Sequence, residues 1–231
     1  MERKIWAILL MVTLTLMPSL GKGGWINKGT IPLVSATKRA TEGIGNFLGE
    51  ISYFVADPQT GMLILTIENT SPLANGGYIT AIVFNNPENR IDSITLSSSN
   101  PYFSLIGLPD FDNRILASPF GFFDIGISLY GGSFEGFGNP DYGIAVGERE
   151  TFIFYLSGNA LDQLTIQNFV QENCLPLPSK KEEFFLVRFR GFNDGKSDKV
   201  PADVVPEPGS LFLLLVGGSA FVFIKKFKKK I

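Results

Sequence analysis

The stretch from Met62 to Asn69 reads MLILTIEN. At a period of two, Leu63, Leu65 and Ile67 fall on one face, with Met62, Ile64, Thr66 and Glu68 on the other. Aliphatic residues at that period predict a strand with one well-buried face. Asn69-Thr70-Ser71-Pro72 then ends the strand with turn chemistry.

The same signal recurs on both sides. Tyr78 to Phe84 (YITAIVF) is a second strong strand, closed by Asn85-Asn86-Pro87. Ile91 to Leu96 and Thr151 to Leu156 alternate in the same way, the latter after a Gly147-Glu148 turn. Phe184 to Phe192 sets Phe185, Val187 and Phe189 against Arg188 and Arg190. Weaker strands are predicted at Ile51 to Val55 and Phe122 to Leu129. A single helix fits the middle of the chain, with Asn159 as its cap and Leu161, Leu164 and Phe169 as its stripe, ending near Cys174. Many short strands with turns between them predict a mainly β fold. The expected form is an antiparallel β-sandwich, jelly-roll or Ig-like, with one short helix; a closed barrel is the alternative.

The two ends differ from this body. Arg3 and Lys4 precede a thirteen-residue apolar run, Ile5 to Met17, then Pro18, Ser19 and Gly21. A basic start, a short apolar core and small residues after a breaker predict a secretory signal peptide over residues 1–24. Residues 25–203 form the exported domain, long enough for one sizeable core. The chain has 20 basic and 22 acidic residues. Eight basic and two acidic ones lie in the end segments, which leaves the domain 12 against 20, a net of −8. So acidic a domain does not suit nucleic acid, which needs a basic footprint. Cys174 is the only cysteine, so no intramolecular disulfide forms and the core must hold the fold.

Chemistry is scarce. The chain has no histidine, which removes the commonest general base and the commonest transition-metal ligand. No nucleophile elbow, phosphate loop or zinc cluster is present. The expectation is a protein that is not an enzyme and carries no cofactor or tight metal site. Asn193 to Asp198 (NDGKSD) sets oxygen ligands around a glycine. It lacks the twelve-residue calcium pattern, and Lys196 opposes a cation, so it reads as a β-turn. Ala117 to Gly147 holds eight glycines and five phenylalanines, with Tyr130 and Tyr142. Two readings fit it: a binding loop that stacks exposed rings on sugars, or a hairpin whose phenylalanines plug the core.

Residues 204–231 close the chain as VVPEPGSLFLLLVGGSAFVFIKKFKKKI. Leu211 to Ile224 is uncharged, and as a helix it reaches about 21 Å against a hydrocarbon core of about 30 Å. Lys225, Lys226, Lys228, Lys229 and Lys230 would hold this end in the cytoplasm. Pro206 and Pro208 keep Glu207 extended just outside the bilayer. The run Val205-Pro206-Glu207-Pro208-Gly209-Ser210, then the apolar helix of 211–224, then the lysine cluster, resembles the PEP-CTERM sorting signal. That resemblance implies a Gram-negative-type bacterium and an exosortase as partner. It implies cutting near the motif and placement at the cell surface or in the extracellular matrix, after transient anchoring in the inner membrane through the C-terminal transmembrane helix. The body is similar, more loosely, to exosortase-dependent surface proteins in its Asn69-Thr70-Ser71 strand end and in Val187 to Asp198. The expected function is therefore a non-catalytic exported surface or matrix protein linked to exopolysaccharide or biofilm. The alternative is a carbohydrate-binding module for the cell's own polysaccharide.

Overall fold

The structure is a computed structural model and describes residues 24–178 and 182–205. The predicted signal peptide up to residue 23, and everything beyond Val205, lie outside the described residues. The opening stretch forms most of β3 (Thr60–Asn69). Leu63, Leu65 and Ile67 are fully buried, whereas Ile64, Thr66 and Glu68 are half-buried. The strand lies between β2 (Phe47–Asp57) and β10 (Arg149–Gly158), so Leu65 sits in register between Ile51 and Phe152.

Ten strands share one sheet. The others are β1 (Ile26–Ser35), β4 (Gly76–Phe84), β5 (Ile91–Ser98), β6 (Phe103–Ile106), β9 (Ile125–Leu129), β12 (Phe185–Phe192) and β13 (Asp198–Val204). The order is β5-β10-β3-β2-β1-β13-β12-β4-β9-β6, with every neighbour antiparallel. The sheet curls until its halves meet through phenylalanines. Phe84 meets Phe154 edge-on at 5.3 Å between ring centroids, and Phe103 meets Phe152 at 5.0 Å. The mainly β, antiparallel expectation holds, with one short α-helix among the described residues. The two expected sheets are instead one nearly closed, barrel-like sheet, because β1 pairs with β13 and joins the halves.

A small second sheet orders β11 (Leu175–Pro176), β8 (Gly121–Phe123) and β7 (Ile115–Ala117). Beside it lies a second core cluster in which Phe123, Phe134 and Cys174 join Ala81, Val83 and Leu186 of β4 and β12. This explains YITAIVF, an unbroken apolar run, since β4 is buried on both faces along most of its length. Four sequence expectations need correction. Phe122 to Leu129 is two strands in two sheets, split at Asp124, whose carboxylate accepts N–H bonds from Asn86 and Asn113. Asn159 caps no helix. A 3-10 turn at Leu161–Gln163 precedes α1 (Ile166–Gln171), where Asn168 Oδ1 accepts the N–H and hydroxyl of Thr165. Leu161, Leu164 and Phe169 are nonetheless buried as expected. Arg188, expected on an outer face, is only 8% exposed because a loop covers it. Asn193 to Gly195 forms the expected turn, but Asp198, at the end of that run, opens β13 and is fully buried.

The joint between the halves is short. β1 and β13 pair only at Leu33↔Val204, Val34↔Asp203 and Ser35↔Ala202. One further bond lies at each end, Ala36 N–H to the Pro201 carbonyl and Val205 N–H to the Pro32 carbonyl. Pro32 and Pro201 have no N–H to return, so the ladder stops there. Two side chains reinforce it. Arg39 binds Glu183 through two nitrogens at 2.9 and 3.0 Å, Asp203 at 2.7 Å and the Ala202 carbonyl at 2.9 Å. Asp198 accepts the Thr41 hydroxyl and the N–H groups of Glu42, Ile44, Gly45 and Lys199, all within 3.0 Å.

Burial pushes the Asp198 carboxyl up, but its bonds from Gly45, Glu42, Thr41 and Ile44 outweigh that and hold it below the usual range. A folded value below the unfolded one stabilises the protein above about pH 3.9, and this is lost as pH falls through the folded value. Asp198→Ala therefore costs at least about 3 kcal/mol, because several buried N–H groups lose their acceptor. Urea unfolding across pH 3 to 7 measures this, and the variant also loses part of the acid-side fall in stability.

Candidate functional site

The glycine-rich stretch from Ala117 to Gly147 divides between the two readings of it. Phe120, Phe123 and Phe134 are buried, whereas Tyr130, Phe137 and Tyr142 are 48%, 61% and 41% exposed. Tyr102, from the turn between β5 and β6, joins them at 38% exposure. Its ring lies 4.2 Å from that of Tyr142 at an interplanar angle of 31°. Tyr130 stands 5.7 Å from Tyr102 and 6.1 Å from Tyr142, nearly perpendicular to the latter. The three rings thus form a cluster and not one flat row.

Backbone geometry sets this arrangement. Tyr130 has φ of 60°, a left-handed conformation that costs a non-glycine residue about 1–2 kcal/mol. Its N–H is held by the Tyr102 carbonyl at 2.8 Å, and the next N–H by the Ser128 carbonyl at 3.2 Å. Strain of this kind on an exposed aromatic is a recurring mark of functional sites. The Tyr130 ring lies directly over Gly138, where any side chain would overlap it. Asn100 ties two members together: its Oδ1 accepts the Tyr102 N–H at 3.0 Å and its Nδ2 donates to the Tyr142 carbonyl at 2.9 Å. The Tyr130 phenol is raised by desolvation and by the neighbouring tyrosines, so it stays neutral and able to donate.

The loop is pinned from beneath. Glu135 reaches between Arg188 and Lys199, the latter at 2.5 Å. These two cations are cross-strand partners on β12 and β13. Burial raises the Glu135 carboxyl, but the Lys199 bond and the Arg188 charge prevail and hold it below its usual range. Phe134 plugs the second core cluster, with the Lys199 ammonium 5.9 Å above its ring. Arg190 donates to the Phe137 and Gly138 carbonyls at 3.3 and 3.2 Å and makes no ion pair among the described residues. Ile144 bridges to Ile79 and fixes the loop's far end. Chemically the site offers stacking faces, phenol hydroxyls and amides, which suit an uncharged, ring-shaped ligand.

The predicted sorting residues are distributed differently. Val205 is described, 38% exposed and bonded to Pro32. Pro206, Glu207, Pro208, Gly209 and the lysines at Lys225, Lys226, Lys228, Lys229 and Lys230 lie outside the described residues. Asn69 and Ser71 of the strand-end motif are buried. Asn69 Nδ2 donates to the Gly77 and Ile144 carbonyls at 3.0 and 2.9 Å, so this motif is a structural tie. Among the described residues no cluster of His, Cys, Asp or Glu could hold a metal, and no helix is long and apolar enough to cross a membrane. No protein-family model and no curated protein matches the chain.

Glu135→Ala leaves Arg188, whose buried Nε has no partner among the described residues, without its carboxylate. The expected outcome is a loss of about 2 kcal/mol and faster amide exchange across residues 131–143. Urea unfolding and hydrogen exchange measure the two effects.

Proposed function

We propose that this chain is a non-catalytic exported surface or matrix protein. In this reading an exosortase cuts it at the Pro-Glu-Pro motif, and its β-domain engages the cell's own polysaccharide through Tyr102, Tyr130 and Tyr142. We also assign the curled sheet to the sandwich folds of jelly-roll or Ig-like kind, on the support of its two facing halves. The observation that carries the binding reading is the exposed tyrosine cluster on a loop fixed by ion pairs and core plugs. Soluble proteins seldom fix several aromatic rings rigidly in water without a partner for them. The net charge of −8 outside the end segments favours an uncharged glycan over an anionic polymer.

The non-catalytic reading rests on residue types. Histidine is missing from the sequence, and the buried carboxylates Asp124, Asp198 and Glu183 are engaged by backbone N–H groups or by Arg39. The sorting reading rests on the order of motif, apolar run and lysines at the chain's end.

Two measurements test this. In a glycan-retention assay, Tyr102→Ala with Tyr142→Ala should weaken binding at least about tenfold, or 1.4 kcal/mol, with the melting temperature little changed. Equal retention of wild type and variant would remove the cluster from the account. Mass spectrometry of the surface fraction should find a mature C-terminus between Pro206 and Ser210. A terminus at Ile231 in a host with its own exosortase would show a plain anchor.

A further inference from the structure

The tyrosine cluster also sets two oxidisable phenols against each other. The Tyr102 and Tyr142 ring centroids are 4.2 Å apart, closer than the roughly 4.5–7 Å of ordinary aromatic pairs. Both residues are open to solvent, at 38% and 41%. Tyr130 stands further off, 5.7 Å from Tyr102, and meets Tyr142 nearly edge-on at 82°.

The backbone holds the pair together, so the contact does not depend on the rings alone. Asn100 accepts the Tyr102 N–H and donates to the Tyr142 carbonyl, which ties two turns far apart in the chain. On the second turn, Pro140–Tyr142, the Gly143 N–H closes onto the Pro140 carbonyl at 2.8 Å. Sulfur offers an oxidant little here. Met62 and Cys174 are the only sulfur-bearing side chains among the described residues, and they are 2% and 3% exposed. Burial shields both, since susceptibility follows exposure. With one cysteine in its sequence, the chain also has no disulfide within itself.

We propose that Tyr102 and Tyr142 are a site of oxidative cross-linking, joined within one chain as a dityrosine by a peroxide acting through a one-electron peroxidase. Each phenol gives up one electron and its O–H proton. The two phenoxyl radicals then form a C–C bond between ring carbons ortho to oxygen. Each of those carbons passes its hydrogen, as a proton, to the oxygen of its own ring, which restores two phenols. Hydrogen peroxide takes up the two electrons and two protons, its O–O bond breaks, and it leaves as two waters. Contact held in advance makes the coupling unimolecular and favours it over coupling between chains. The new bond closes the chain between the two turns, as a disulfide would.

The test treats the 231-residue chain, purified in detergent at micromolar concentration, with hydrogen peroxide and a haem peroxidase, then digests it with trypsin. Cleavage after Arg90, Arg114 and Arg149 leaves Tyr102 on residues 91–114, and Tyr130 and Tyr142 on residues 115–149. Mass spectrometry should find these two peptides joined and lighter than their sum by two hydrogen atoms, with fragmentation placing the bond at Tyr102 and Tyr142. Tyr142→Phe keeps the ring and removes the phenol, and the yield of joined peptides should fall at least about tenfold. Absence of the joined peptides from the wild type would overturn the proposal, as would linkage chiefly between separate chains or an equal yield from Tyr142→Phe. No glycan enters this experiment, so its failure leaves the binding reading untouched, and failure of glycan retention leaves this one.

Discussion

Everything in this fold depends on a seam three residue pairs long, where β1 meets β13. One half of the sheet lies on one side of it and the other half on the opposite side. Pro32 and Pro201 cap the seam's hydrogen bonding at both ends, so backbone pairing alone is modest. Arg39 and Asp198 compensate by tying the segment after β1 to β13 and Glu183. The core then completes the closure with phenylalanine pairs that bridge the two halves.

The candidate site inherits its rigidity from the same region. β12 lies next to β13, and the two strands present Arg188 and Lys199 side by side under the glycine-rich loop. Glu135 locks that loop down, Arg190 holds two of its carbonyls, and Phe134 anchors it in the second core cluster. The energy of these contacts is spent on holding Tyr130 in an unfavourable backbone conformation beside Tyr102 and Tyr142. A loop of glycines alone would present the same rings in many arrangements and lose more entropy on binding.

Much of this was legible in the residues. Period-two alternation located β3, β5, β10 and β12, and the apolar run of β4 was read as a strand. It missed β1 and β13 because Lys28, Gly29, Pro32 and Pro201 interrupt their apolar pattern, and their pairing with each other joins the two ends of the domain. Arg188 looked exposed because alternation reports which face a residue takes, not what later folds over that face. Tyr130 and Tyr142 were singled out by the glycine and aromatic content of their segment. Tyr102 carried no such mark, since the antiparallel pairing of β6 with β9 is what sets it beside Tyr130. The buried phenylalanines of the same segment show that composition alone does not sort plug from platform.

The central claim is that the β1–β13 seam closes the domain and that the closed domain needs nothing beyond Val205. Thermal unfolding of two truncated chains, followed by circular dichroism, tests it most directly. A chain of residues 24–205 should give a β-rich spectrum and one cooperative transition. A chain of residues 24–197, which lacks β13 and Asp198, should show no cooperative transition. Equal, cooperative melting of both chains would contradict the account.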